Sequence, residues 1–139
     1  MSWLRRPKVS ADVGAGFIAL ESTAHQSAIE SSAGSGKQTQ QVAAEFVIHA
    51  ETSGAVVLAW NNRNVGFAPP EQHESLRAQA TMAAAGRARL VVSGEVFREA
   101  GTWRVWAGPP PRPGGLVTPT DSVAPKAPNI AGIPIQRTE

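Results

Sequence analysis

Eight of the eleven prolines in this chain fall between Pro109 and Glu139, and that imbalance sets the far limit of any folded domain. Proline removes a backbone donor and fixes φ, so the run Pro109, Pro110, Pro111 and Pro113 propagates neither a helix nor a sheet ladder. The segment also holds few large apolar side chains to bury. Residues 109–139 are therefore expected to form an extended proline-rich tail or linker, with Ile130, Ile133 and Ile135 as its apolar patch. At the other end, residues 1–11 read as a basic arm carrying Arg5, Arg6 and Lys8. The stretch between them, 12–108, has the length of one domain, which typically runs to about 100–150 residues.

Inside that stretch the hydrophobic period changes repeatedly. Phe17 to Leu20 is a short apolar run that suits a first strand. His25 to Ala33 suits a helix, with Ser22 or Thr23 available as its cap. Val42, Ala44, Phe46 and Ile48 then alternate with Ala43, Glu45, Val47 and His49, the period-two signature of a strand with one buried face. Gly54 to Trp60 is a continuous apolar strand, and Asn61 to Asn64 is a turn because Asn tolerates the left-handed conformation. Val65 to Phe67 returns as a strand. Pro69 and Pro70 open a second helix, with Glu71 and Glu74 near its positive end and Leu76, Ala80 and Ala83 on one face, and Gly86 ends it. Arg87 to Phe97 is a strand, with Gly94 as an expected bulge. A turn over Glu99 to Gly101 leads to a last strand over Thr102 to Ala107. The order β-α-β-β-β-α-β-β, with short connections, predicts an α+β fold: a small, strongly curved, half-open barrel of about six strands and two helices.

Charge and cysteine usage exclude several function classes. The net charge is +2, yet between Gln40 and Gly108 six arginines balance six glutamates. The surplus lies in the arm and the tail, so no strongly basic domain face is demanded by composition. With no cysteine, neither a disulfide framework nor a thiolate metal site is available. No apolar run reaches the roughly 18 residues of a membrane span, and no apolar segment follows the basic arm as a secretory signal would require. The expectation is a cytoplasmic protein without membrane contact.

Nothing in the sequence assembles into catalytic machinery. Gly34 to Thr39 has the flavour of a phosphate loop, but Ser31 stands where the first glycine belongs and Gln38 where a magnesium-holding hydroxyl belongs. His25, His49 and His73 lack the spacing of metal ligands on one helix. The only aspartates, Asp12 and Asp121, sit at or beyond the domain's edges, away from any serine–histidine pair. The chain reads as a non-enzyme without a cofactor. The last strand is more suggestive. Thr102, Arg104 and Trp106 face one way and Trp103, Val105 and Ala107 the other. Trp103 then belongs to the core, and Trp106 beside Arg104 has the composition of a base-stacking platform.

Three stretches resemble a known family. Leu20-Glu21-Ser22-Thr23-Ala24-His25-Gln26-Ser27-Ala28-Ile29 resembles the opening "GES-x-x-Q-x-x-L" of the HIRAN family. Asn64-Val65-Gly66-Phe67-Ala68-Pro69 resembles its "x-VGYL-P" strand. Arg89 to Val96 with Trp103 to Val105 resembles its closing "V-x-G-x-I … W-x-V" strands. The likeness spans about residues 16–108 and is greatest to short stand-alone bacterial members. It implies a curved barrel of about six strands with two helices, which in some members grips single-stranded DNA ends, usually within larger helicase-type or nuclease proteins. Where the family has "EP-x-NP-x-D-x-x-AV", this chain has His49-Ala50-Glu51-Thr52-Ser53-Gly54-Ala55-Val56, and it has no tyrosine. The combined expectation is a non-catalytic binding module for single-stranded nucleic acid, using Arg89 and Arg104 on phosphate and Trp106 or Phe67 on bases. The alternative is an assembly adaptor that engages a protein partner or a second copy through its tail.

Overall fold

The computed structural model describes residues 7–33, 41–109 and 112–114. The glycine-rich loop from Gly34 and the tail isoleucines lie outside the described residues. The elements are β1 (Lys8–Ser10), β2 (Phe17–Ile18), a 3-10 turn (Ser22–His25), α1 (Gln26–Ala33), β3 (Gln41–Ala50), β4 (Val56–Trp60), β5 (Arg63–Phe67), α2 (Pro70–Ala85), β6 (Arg89–Glu99) and β7 (Thr102–Ala107).

Six strands form one antiparallel path in the order β2-β7-β6-β3-β4-β5. The two ends of that path meet at a bridge between Leu20 and Phe67. Leu20 N–H donates to the Phe67 carbonyl at 2.7 Å, and Phe67 N–H donates back at 3.0 Å. The sheet is thus curled into a half-open barrel, and with its two helices the fold is α+β, as the element order predicts. The core inside it includes Phe46, Leu58, Trp60, Leu76, Val96 and Trp103. Phe46 and Trp60 meet edge to face with centroids 6.2 Å apart, a favoured aromatic geometry.

Local chemistry explains most boundaries. The β4–β5 hairpin turns on Asn61 (φ 52) and Asn62 (φ 67), and the β6–β7 hairpin on Ala100 (φ 52) and Gly101 (φ 80). Two successive left-handed residues match the twist of the flanking strands. Pro69, in extended conformation, precedes α2, and Gly86 follows it. The alternation read in β3 holds: Phe46 and Ile48 are buried, while Gln41, Ala43, Glu45 and His49 are exposed.

Three local expectations change. Lys8–Ser10 is not part of a free arm but a strand parallel to β6, pairing Lys8 with Arg89 and Ser10 with Val91. Three residues carry no readable period, and β7 leaves this edge of β6 vacant beyond Gly94. Gly94 is not a bulge, since β6 keeps register there with both neighbours. Its missing side chain instead admits the Trp106 carbonyl, with which a Cβ would collide. The register shift falls between Leu58 and Ala59, against β5. Finally, Ser22 does not cap the first helical segment; its buried hydroxyl donates to the Val65 carbonyl at 3.2 Å.

Candidate functional site

The structure distributes the four residues nominated by the sequence over three places. Arg104 and Trp106 sit on the outer side of β7. Arg89 begins β6, eight residues from Phe97, the partner of Arg104. At about 3.3 Å per residue that separation is roughly 26 Å. Phe67 ends β5 on the far side of the barrel seam.

Trp106 is not an exposed platform. Only 1% of it is accessible, and it packs with Ile18 and Phe97 in a small apolar cluster on the outer face. Strand alternation does aim it away from the core, as read from the sequence. The chain beyond β7 then crosses that face, because Gly108 (φ 154) lets the backbone lie against the indole. Trp106 Nε1 donates to the Pro109 carbonyl at 3.2 Å. Arg112 stacks on Phe97 and pairs with the buried Glu95 carboxylate. Arg104 is also buried, with Nε 3.9 Å from Glu99 Oε1. This face is covered by its own chain and offers no ring to a base.

A different surface emerges from the register. Lys8 is paired with Arg89, and His49 with Val57, which is itself paired with Phe67. His49 and Arg89 both line the opening where β3 and β6 part. Their sequence neighbours Ile48 and Leu90 point into the core, so His49 and Arg89 point outward. Beyond Phe67 lies His25, its ring centroid 6.1 Å away at a 37° tilt. His25 is held by donation from Nδ1 to the Glu21 carbonyl at 3.0 Å. The outer face therefore carries one transverse row: Lys8, Arg89, His49, Val57, Phe67 and His25. Lys8 to Arg89, His49 to Val57 and Val57 to Phe67 are paired steps of about 4.8 Å each; between Arg89 and His49 the strands part, since the β3–β6 ladder ends at Val47 and Val91.

The row has a cationic end and an aromatic end. Lys8 also contacts Glu45 at 2.9 Å, with both side chains about half exposed, a pairing that water and salt weaken readily. Phe67 is half-buried and His49 exposed.

No family model, curated protein or solved structure matches this chain. The site must therefore be judged on its own chemistry. Among the described residues no group of three His, Cys, Asp or Glu side chains is placed to hold a metal. No helix among them is long and apolar enough to cross a membrane. Guanidinium, ammonium and imidazole groups followed by two neighbouring, tilted rings suit an anionic, aromatic ligand. Arg89 and Phe67 were legible as members, since one is a cation and the other an aromatic on a strand. Lys8, His49 and His25 were not, because each looks isolated along the chain. Only strand pairing makes them neighbours. His73, the third histidine, is engaged elsewhere, with Nε2 2.9 Å from the Ala68 carbonyl.

Proposed function

We propose that this protein is a non-catalytic, HIRAN-like binding module whose outer row takes single-stranded nucleic acid. The observation that carries the reading is the row in which strand pairing joins Lys8 to Arg89 and His49 through Val57 to Phe67, a shared opening joins Arg89 to His49, and a ring contact adds His25. Proteins that hold single strands combine a positively charged track for phosphates with aromatic rings on which bases stack. The order of the three HIRAN-like stretches supports the same reading independently, since the second of them contributes Phe67 and the first His25. Trp106 and Arg104 are left out of this interface, because both are buried.

The test is a titration of labelled single-stranded oligonucleotides at two salt concentrations. Neutralising two phosphates with Lys8 and Arg89 gives a log–log salt slope of about −1.4, taking roughly −0.7 per phosphate for single strands. Absence of binding at both salt concentrations removes this reading in favour of an adaptor acting through the proline-rich tail.

A further inference from the structure

Glu95 follows Gly94 and precedes the core residue Val96 in β6, so alternation places it on the outer face of the barrel. Strand pairing sets Trp106 opposite Glu95 and Ile18 opposite Trp106. Ile18, Phe97 and Trp106 form an apolar cluster there. Two polar groups interrupt that apolar surface, the Glu95 carboxylate and the Trp106 indole N–H. The chain's own next segment meets both. The indole N–H donates to the Pro109 carbonyl at 3.2 Å. Three residues later the Arg112 guanidinium pairs with the Glu95 carboxylate and lies over the Phe97 ring.

A face that needed only a cover would be served by apolar side chains. A buried carboxylate is costly unless a cation meets it, so Glu95 selects for positive charge. Phe97 narrows the choice to a flat cation. A guanidinium stacks on a ring and bonds a carboxylate together, which a compact ammonium does not. The indole N–H adds a requirement for a carbonyl nearby. Aromatic-lined grooves hold proline-rich peptides with this kind of composition.

We propose that Glu95, Phe97 and Trp106 form a recognition site for a Pro-x-x-Arg segment of a partner protein, and that the chain's own Pro109 and Arg112 fill it as a tethered ligand. A second copy offers its segment only by vacating its own site, with no net gain in contacts, so the partner is a separate protein. The tethered segment competes at an effective concentration on the order of millimolar. It therefore sets a threshold that a partner passes by adding contacts of its own. No residue of the nucleic-acid row takes part, so the inference stands apart from that reading.

The test uses the full chain and a free peptide with the sequence of residues 108–114, Gly-Pro-Pro-Pro-Arg-Pro-Gly. Arg112→Ala vacates the site and should bind this peptide about tenfold or more tighter than the wild type, where the tethered segment competes. The peptide should also raise the unfolding midpoint of Arg112→Ala, because a ligand of the native state stabilises it. The same peptide with glutamine in place of its arginine should not bind. Adding Glu95→Gln to Arg112→Ala should abolish peptide binding in a chain that still folds, since no charge is then left buried. Arg112→Lys guards against a folding loss: it keeps Glu95 paired, gives up the stacked guanidinium, and should also bind the peptide more tightly than the wild type. A peptide that binds neither Arg112 variant, binds equally well with glutamine, or binds the double variant undiminished overturns the inference and leaves the Arg112 contact as packing alone. Dimerisation of the wild type that Arg112→Ala abolishes assigns the site to a second copy and overturns the separate partner.

Discussion

The guanidinium carbon of Arg112 lies 3.7 Å from the centroid of the Phe97 ring, which fastens the start of the proline-rich segment to the outer face of the barrel. The same guanidinium meets Glu95, a carboxylate that is only 6% accessible. Arg112 therefore does two jobs: it covers an aromatic ring and it compensates a buried charge. Together with the Trp106–Pro109 hydrogen bond it ties Pro109 and Arg112 to the folded unit. Side-chain contacts of the barrel therefore extend past Gly108, where the proline run begins.

Removing Arg112 should be costly for so peripheral a residue. Arg112→Ala leaves the Glu95 carboxylate buried without its partner, a change expected to destabilise the protein by about 1–3 kcal/mol. Glu95→Gln in the same chain should recover part of the loss. Chemical denaturation of the single and double variants measures this. Limited proteolysis of the wild type should leave a core that retains Arg112, and a stable core ending at Gly108 would contradict this account.

Both tryptophans of β7 are structural. Trp103 is 3% and Trp106 1% accessible, so truncation of either to alanine should cost on the order of 3–5 kcal/mol. Trp106→Ala should do so without selectively impairing oligonucleotide binding when compared at equal folded fraction. Parallel thermal unfolding and binding titrations of that variant decide whether this ring is part of the core or part of an interface.

The binding row yields the opposite pattern at Phe67. Phe67→Ala should weaken oligonucleotide binding by about 1–3 kcal/mol, similarly for all sequences, because stacking is tolerant of base identity. His25→Ala should weaken it in the same direction, since its ring lies beside that of Phe67. Fluorescence anisotropy with homopolymeric strands checks both. Arg89→Ala should lower affinity and reduce the salt slope by about one charge.

Gln26 offers a test of how the first helix is attached. Its amide spans 77 residues to reach Trp103, donating to that carbonyl at 2.8 Å and accepting from that N–H at 2.8 Å. It donates to the Ser22 carbonyl as well. Gln26→Glu keeps the shape and the acceptor but removes the donor. The expected loss is about 1–3 kcal/mol, read as a lower denaturation midpoint.

Sequence alone determined much of what depends on near neighbours in this protein. Alternation over Val42 to Ile48 defined β3 and its buried face, paired prolines opened α2, and asparagines marked the β4–β5 turn. These follow from steric and hydrogen-bonding limits that act within a few residues. The aim of Trp106 away from the core was equally readable. Its burial was not, because that depends on Ile18, Phe97 and the Pro109 carbonyl meeting the ring in space. Nor were the strand Lys8–Ser10, the partner switch at Val47, or the assembly of Lys8, Arg89, His49, Phe67 and His25 into one row. Those depend on register between segments up to 81 residues apart, as Lys8 and Arg89 are. Register is fixed by closure of the barrel at Leu20 and Phe67 and by how the whole core packs. The local pattern decided which way each side chain points, and only the curled sheet decided which side chains meet.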